Sequence, residues 1–110
     1  MARMNPGKRT EGAASLKVSY SQAVPPNLRG KVREVSGVLV DQASRKHGAA
    51  TELMRKTMLE ADLNGLALLV VVAPFDDEPM SETALRHWYG RMGFNEIQKS
   101  PCVMVRPAKN

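Results

Sequence analysis

Val35-Ser-Gly-Val-Leu-Val-Asp-Gln-Ala-Ser-Arg-Lys-His-Gly-Ala-Ala50, continued by Thr51-Glu-Leu-Met-Arg-Lys-Thr-Met-Leu-Glu-Ala-Asp62, decides the reading of this chain. The apolar run Val38-Leu-Val40 has strand character, a short basic turn with one glycine follows, and an amphipathic helix begins directly after it. A strand that turns sharply into a helix leaves the first helical N–H groups without intrahelical acceptors, and the helix dipole adds positive potential there. Arg45 and Lys46 stand beside that point. Such a junction suits an anion of the size of a pyrophosphate.

Outward from this junction the pattern is that of a small α/β domain. Ser15 to Gln22 reads as a short strand, closed by the breaker Val24-Pro-Pro-Asn-Leu-Arg-Gly30, and Lys31 to Asp41 reads as a central strand interrupted by Gly37. A glycine inside a strand often marks a bulge or a close backbone approach. From Gly48 to Leu63, Ala50, Leu53, Met54, Thr57, Met58 and Ala61 share one helical face, and Asn64-Gly65 supplies a stop. Leu66 to Val72 is apolar throughout, as in a strand covered on both faces and paired in parallel, so strand, helix and strand form a βαβ crossover. Ser81 is a suitable N-cap for a helix running to Met92 and ended by Gly93, with Phe94 to Ile97 and Cys102 to Arg106 as a final pair of strands.

The two common phosphate loops, G-x-x-x-x-G-K-S/T and G-x-G-x-x-G after a strand, are absent from the sequence. What remains, Arg45-x-x-Gly48-x-Ala50, resembles the Q/R-x-x-G-x-G/A signature of the GCN5-related N-acetyltransferases, the GNAT superfamily. There this turn holds the pyrophosphate of acetyl-coenzyme A. Ala84-Leu-Arg-His-Trp-Tyr-Gly-Arg-Met-Gly-Phe94 is similar to a second family segment, A-x-x-x-F/W/Y-Y-x-x-x-G-F, in the right order and context. Val40 matches the start of the family's V-x-P-x-x-R run, although Gln42 stands where proline is usual. The likeness covers roughly Lys31 to Ile97. The chain also resembles very short GNAT-like proteins encoded by bacteriophages, in which Pro74-Phe-Asp-Asp-Glu-Pro79 precedes the last helix.

The resemblance implies a minimal GNAT fold: a mixed, mainly antiparallel sheet with a central βαβ crossover and a splayed central strand pair. It implies acetyl-coenzyme A as cosubstrate, with the pyrophosphate at Arg45, Lys46, His47, Gly48, Ala49 and Ala50. The pantetheine arm would lie along Val38, Leu39 and Val40, with Ser81 at the place where the family often has an asparagine. The implied activity is acetyl transfer to an amine of a protein or small molecule. The alternative is a GNAT-shaped binding protein, phage-encoded and gripping a host protein, with weak or no catalysis.

Acetyl transfer from a thioester needs a neutral amine, a polarised carbonyl and a proton for the departing thiolate. By resemblance Tyr89 is the candidate acid and Glu34 the candidate base. Tyr89 also reads as a core ring, and Glu34 as an exposed strand charge paired with Arg33 or Lys31. Glu34, Ser36 and Val38 share one face unless a bulge at Gly37 changes the parity. His47 reads as a solvent-facing turn residue, His87 as surface, Trp88 as a core anchor and Cys102 as strand packing. Two isolated histidines and one cysteine make no metal site.

A chain of 110 residues supports one small core. We expect a flexible basic tail over 1–15 and a single GNAT-like domain over 16–110. The net charge of +5 includes +2 from Arg3, Lys8 and Arg9 against Glu11 in that tail. With few aromatics and no recognition signature, dedicated nucleic-acid binding is not indicated. One cysteine excludes an internal disulfide, and no apolar run is long enough to span a bilayer. The expected setting is the cytoplasm, that of the host if the protein is phage-encoded, with an amine acceptor and a host or partner protein as partners and a homodimer left open.

Overall fold

The computed structural model describes residues 4–12, 14–21, 24–40, 48–72 and 82–108. Among these, the chain runs through β1 (Gly7–Glu11), β2 (Ala14–Tyr20), a 3-10 turn (Pro26–Lys31), β3 (Val32–Val40), α1 (Ala49–Leu63), β4 (Ala67–Val72), α2 (Glu82–Arg91), β5 (Asn95–Lys99) and β6 (Cys102–Arg106). The strands form one sheet in the order β1-β2-β3-β4-β6-β5. Only β3 and β4 are parallel; β1–β2, β2–β3, β4–β6 and β5–β6 are antiparallel. This is the mixed sheet with a central βαβ crossover expected of a minimal GNAT fold. No helix among the described residues is long and apolar enough to cross a membrane.

Both helices pack on the same face of the sheet. Register places Arg9 opposite Leu16, Val35 opposite Val18 and Val70, and Met104 opposite Val70 and Glu96, so these residues share a face. Leu16, Val18, Val35, Leu68, Val70, Val72 and Met104 meet Leu53, Met54 and Ala61 of α1 and Tyr89 of α2 in a single core. The helical spacing of the buried α1 residues is why that helix forms and lies flat on the sheet. Thr57 is the polar member of this face, and its hydroxyl is satisfied by the Leu53 carbonyl at 2.9 Å.

Residues 1–15, expected as a flexible tail, include a strand. Gly7 to Glu11 pair in register with Val18 to Ala14, and Met4 is fully buried. Two of the charges in this stretch pair with α1, while Lys8 is exposed: the Arg9 guanidinium forks onto Glu60 with two 3.1 Å contacts, and Lys56 reaches Glu11 at 2.6 Å. At the other side of α1, Arg106 of β6 forks onto Asp62 at 2.7 and 3.0 Å. Ion pairs at both edges therefore fix how α1 sits across the sheet, and with it where its first turn points.

Each helix ends in the same way. After α1 the Leu66 N–H bonds to the Ala61 carbonyl and the Gly65 N–H to the Asp62 carbonyl, with Gly65 at φ +66°. After α2 the Phe94 N–H bonds to the Tyr89 carbonyl and the Gly93 N–H to the Gly90 carbonyl, with Gly93 at φ +97°. Both are Schellman motifs, in which the left-handed glycine turns the chain and the next residue, Leu66 or Phe94, buries itself in the core.

Candidate functional site

β3 and β4 do not stay together. They pair from Val32–Ala67 to Val35–Val70, after which Ser36 to Val40 pair with β2 and Val71–Val72 with β6. The separation begins at an extra residue in β3. Lys17 faces Ser36 while Ser15 faces Leu39, so two residues of β2 span three of β3, and Gly37 takes φ +60°. A bulge with a left-handed glycine bends and twists the strand that carries it. The glycine that interrupts the strand pattern thus opens a wedge between the central parallel strands. The β4-facing edge of Ser36 to Val40 has no partner strand among the described residues.

The bulge also reverses the side-chain parity of β3. Val38 packs against the same core as Val35, on the helix face, while Glu34 and Ser36 belong to the other face. Glu34 and Val38 therefore do not share a face, and what Val38 offers the wedge is its backbone. Glu34 lies opposite Leu69, one residue before the last β3–β4 pair. It is not paired with Arg33: its Oε1 accepts a hydrogen bond from the Ser21 hydroxyl at 3.1 Å. Arg33 turns to the helix face, where its Nε donates to the Met4 carbonyl at 2.9 Å and its guanidinium stacks on the Tyr20 ring at 4.5 Å.

Across residues 41–47 from the end of β3, α1 starts without a side-chain cap. Gly48 sits at the N-cap with φ +73°, and the first intrahelical bond is from the Glu52 N–H to the Gly48 carbonyl. The amides of Ala49, Ala50 and Thr51 thus precede the helical ladder, and no described residue accepts from them. A Cβ added at Gly48 would meet no described atom within 4 Å. The acidic residue of the first turn, Glu52, faces away: Arg55 forks onto its carboxylate and holds it below the ordinary carboxylate range. The Glu52 carboxylate is thus engaged by Arg55.

Tyr89 is 7% exposed and sits edge-on to Trp88 and Phe94, with ring centroids at 5.1 and 5.5 Å. Burial pushes its phenol up to about 12, so the hydroxyl keeps its proton at neutral pH. Tyr89 also supplies the carbonyl that closes the α2 Schellman motif, and Phe94 is the residue that folds back onto it. The Tyr-x-x-x-Gly-Phe spacing is thereby explained by helix termination as well as by any chemistry of the ring.

Arg45, Lys46, His47 and Ser81, together with the acidic residues Asp76, Asp77 and Glu78, lie outside the described residues. Trp88 packs against the core, His87 is exposed, and Cys102 is buried in β6 with its thiol pushed up by burial. Among the described residues no three His, Cys, Asp or Glu side chains are grouped as they would be around a metal ion. Sequence reasoning missed Ser21. A lone serine past a strand end has no periodic or motif signal, and its partner is set only by the β2–β3 register.

No family model matches the chain, and no curated protein matches it in sequence. Solved structures match its fold. The anti-CRISPR protein AcrVA5 superposes with a TM-score of 0.71 at 16% identity, over 93% of this chain and 98% of that one. The ribosomal-protein-S18-alanine N-acetyltransferase of Escherichia coli gives 0.65 at 16% identity, over 89% and 63%. The GNAT-family N-acetyltransferase YhbS of Escherichia coli, solved in complex with CoA, gives 0.56 at 15% identity, over 86% and 51%. The chain thus spans about half to two thirds of these two acetyltransferases and nearly all of AcrVA5.

Proposed function

From a chain with the fold of the GCN5-related N-acetyltransferases, we propose an acetyl-coenzyme A-dependent N-acetyltransferase that uses the β3–β4 wedge as its coenzyme cleft. The observation that carries this reading is the combination of a bulge-opened parallel strand pair with a helix N-terminus that no described side chain caps. The wedge offers backbone donors and acceptors to an extended amide-bearing arm, and the helix end offers amides to a diphosphate. YhbS, which shares the fold, is a CoA complex.

In this reading the amides of Gly48, Ala49 and Ala50 hold the pyrophosphate, with Arg45, Lys46 and His47 of the preceding turn beside it. The backbone of Val38, Leu39 and Val40 aligns the arm, and Ser81 lies on its other side. The Val38 N–H polarises the thioester carbonyl. Glu34 accepts the proton that the amine must lose, the amine nitrogen bonds to the carbonyl carbon, and the carbon–sulfur bond breaks. A phenol at about 12 is a weaker acid than an ordinary thiol near about 8.5, so full proton transfer from Tyr89 to the thiolate runs uphill. Tyr89 acts instead by hydrogen-bonding the sulfur as charge develops, and solvent supplies the proton. The acceptor is an amine of a protein or a small molecule, met in the cytoplasm.

A second reading is a GNAT-shaped binding protein that grips a partner protein with little or no turnover. One observation favours it: Tyr89 is accounted for by packing and helix termination. Calorimetric titration with acetyl-coenzyme A, followed by thioester turnover with a panel of amines, separates the two. Binding with turnover supports the enzyme, binding without turnover on any amine supports the binder, and no binding removes the coenzyme cleft altogether.

A further inference from the structure

We propose that Ser21 is a positioning residue for Glu34, fixing one carboxylate oxygen so that the other is presented to the acceptor amine; this rests on the acetyl-transfer reading. Ser21 directly follows β2 and is fully buried. A buried hydroxyl is costly unless it is bonded. One bond that it makes is to Glu34, its Oγ donating to Oε1 at 3.1 Å.

Register explains why these two residues meet. Ser19 is directly opposite Glu34, and Ser21, two residues further on and just past the end of β2, stands diagonal to Glu34, within reach of a long side chain. The pairing is asymmetric. Serine is short and held by its surroundings, whereas a glutamate has three rotatable bonds and is half-buried, so the serine restrains the glutamate and not the reverse. No described residue donates to Oε2. Glu34 stands one residue before the strands part, on the face opposite the helices, so the restrained carboxylate borders the apex of the wedge. A general base must be held within hydrogen-bond reach of its proton, and losing that alignment lowers turnover more than binding.

The test is a double-mutant cycle with a spectroscopic arm. Ser21→Ala should lower kcat about tenfold, the scale of one lost hydrogen bond to a charged group, and leave KM for acetyl-coenzyme A unchanged. Ser21→Thr, which keeps the hydroxyl, should restore kcat. On a Glu34→Ala background Ser21→Ala should change nothing further, because its effect runs through the carboxylate. Without coenzyme, the side-chain carboxyl carbon resonance of Glu34 should move in Ser21→Ala and return in Ser21→Thr. An unmoved resonance in folded Ser21→Ala, or an equal loss of kcat on both backgrounds, overturns the proposal. If Ser21→Ala does not fold, Ser21→Cys takes its place, and full kcat with that weak donor overturns it equally. Absence of turnover in the wild-type protein overturns the acetyl-transfer reading and Ser21's catalytic role together, while the resonance alone decides whether Ser21 holds Glu34.

Discussion

Gly48 and Gly65 stand at opposite ends of α1 with nearly the same backbone, φ +73° and +66°, and do opposite things. At Gly65 the protein satisfies its own helix end: two backbone N–H groups close onto Asp62 and Ala61, and Leu66 folds into the core. At Gly48 no described residue does the same: no described side chain caps the turn, and a Cβ built there meets no described atom within 4 Å. Unmade hydrogen bonds at a helix end are tolerable where water or a ligand can make them. The contrast teaches that a left-handed glycine marks a place where the chain must turn, and that the account of the orphan amides separates a stop from a site.

The strongest attempt to break this contrast is Gly48→Glu. A carboxylate placed there would repel a diphosphate at short range and offer the orphan amides an intramolecular acceptor. Acetyl-coenzyme A affinity should fall by at least about a hundredfold, on the order of the loss when a charge-assisted anion contact is replaced by repulsion. The helical circular dichroism should persist, because α1 is held by its buried face and by the ion pairs to Glu60 and Asp62. Wild-type affinity in the folded variant would remove the pyrophosphate from this end of the helix.

The next largest effect concerns Tyr89, which belongs to a satisfied end and is also claimed for chemistry. Burial lifts the Tyr89 phenol from the ordinary tyrosine value of 10.0 to about 12, so the unfolded chain ionises first as pH rises. The unfolded state then binds fewer protons than the folded one, and stability falls with pH. The contribution is intact below pH 10 and is lost through pH 12, an upper bound of roughly 2–3 kcal/mol. Urea denaturation at pH 9 and at about pH 11.5 should show this loss in the wild type and a smaller one in Tyr89→Phe. Equal losses in both would mean that Tyr89 is not the group that titrates.

How much of this contrast is open to reading from the sequence alone follows from which interactions are local. Gly65 and Gly93 are readable because a helix stop is written within a few residues, and Gly37 because a glycine breaks a short apolar run. The β3–β4 parallel pair is readable from the uninterrupted apolar character of Leu66 to Val72. β1 is not readable: Gly-Lys-Arg-Thr-Glu is a charged string until Arg9 meets Glu60 and Glu11 meets Lys56, partners that lie in a different element. Ser21 and Glu34 are separated by the 3-10 turn and come together only through strand register. The parity of Val38 likewise depends on whether Gly37 bulges, which composition alone leaves open.

Tyr89→Phe sharpens the contrast on the catalytic side. The substitution keeps both ring contacts and the Tyr89 carbonyl that closes the cap, so the fold and coenzyme affinity should be unchanged. If the hydroxyl hydrogen-bonds the departing sulfur, kcat should fall about ten- to a hundredfold, the range of a hydrogen bond to a charged group. A single-turnover assay in which chemistry limits the rate reads this directly. An unchanged rate would assign Tyr89 wholly to the satisfied end of α2.

The smallest effect is the most discriminating one, because it compares three glycines under one substitution. Gly48→Ala, Gly65→Ala and Gly93→Ala each force alanine into a positive φ, at +73°, +66° and +97°. Each should therefore cost about 1–2 kcal/mol of stability, the penalty of a left-handed backbone for a residue with a Cβ. None meets a prohibitive clash among the described residues: no described atom lies within 4 Å at Gly48 or Gly65, and at Gly93 the nearest is the Arg106 side chain at 3.9 Å. Stability should not distinguish the three, and coenzyme affinity should. Only at Gly48 does the methyl group enter space that a ligand is meant to use, so only Gly48→Ala should weaken acetyl-coenzyme A binding beyond what its loss of stability explains. Equal affinity in all three variants would mean that the open end of α1 is no more a site than the closed ones, and that its unmade hydrogen bonds are simply left to water.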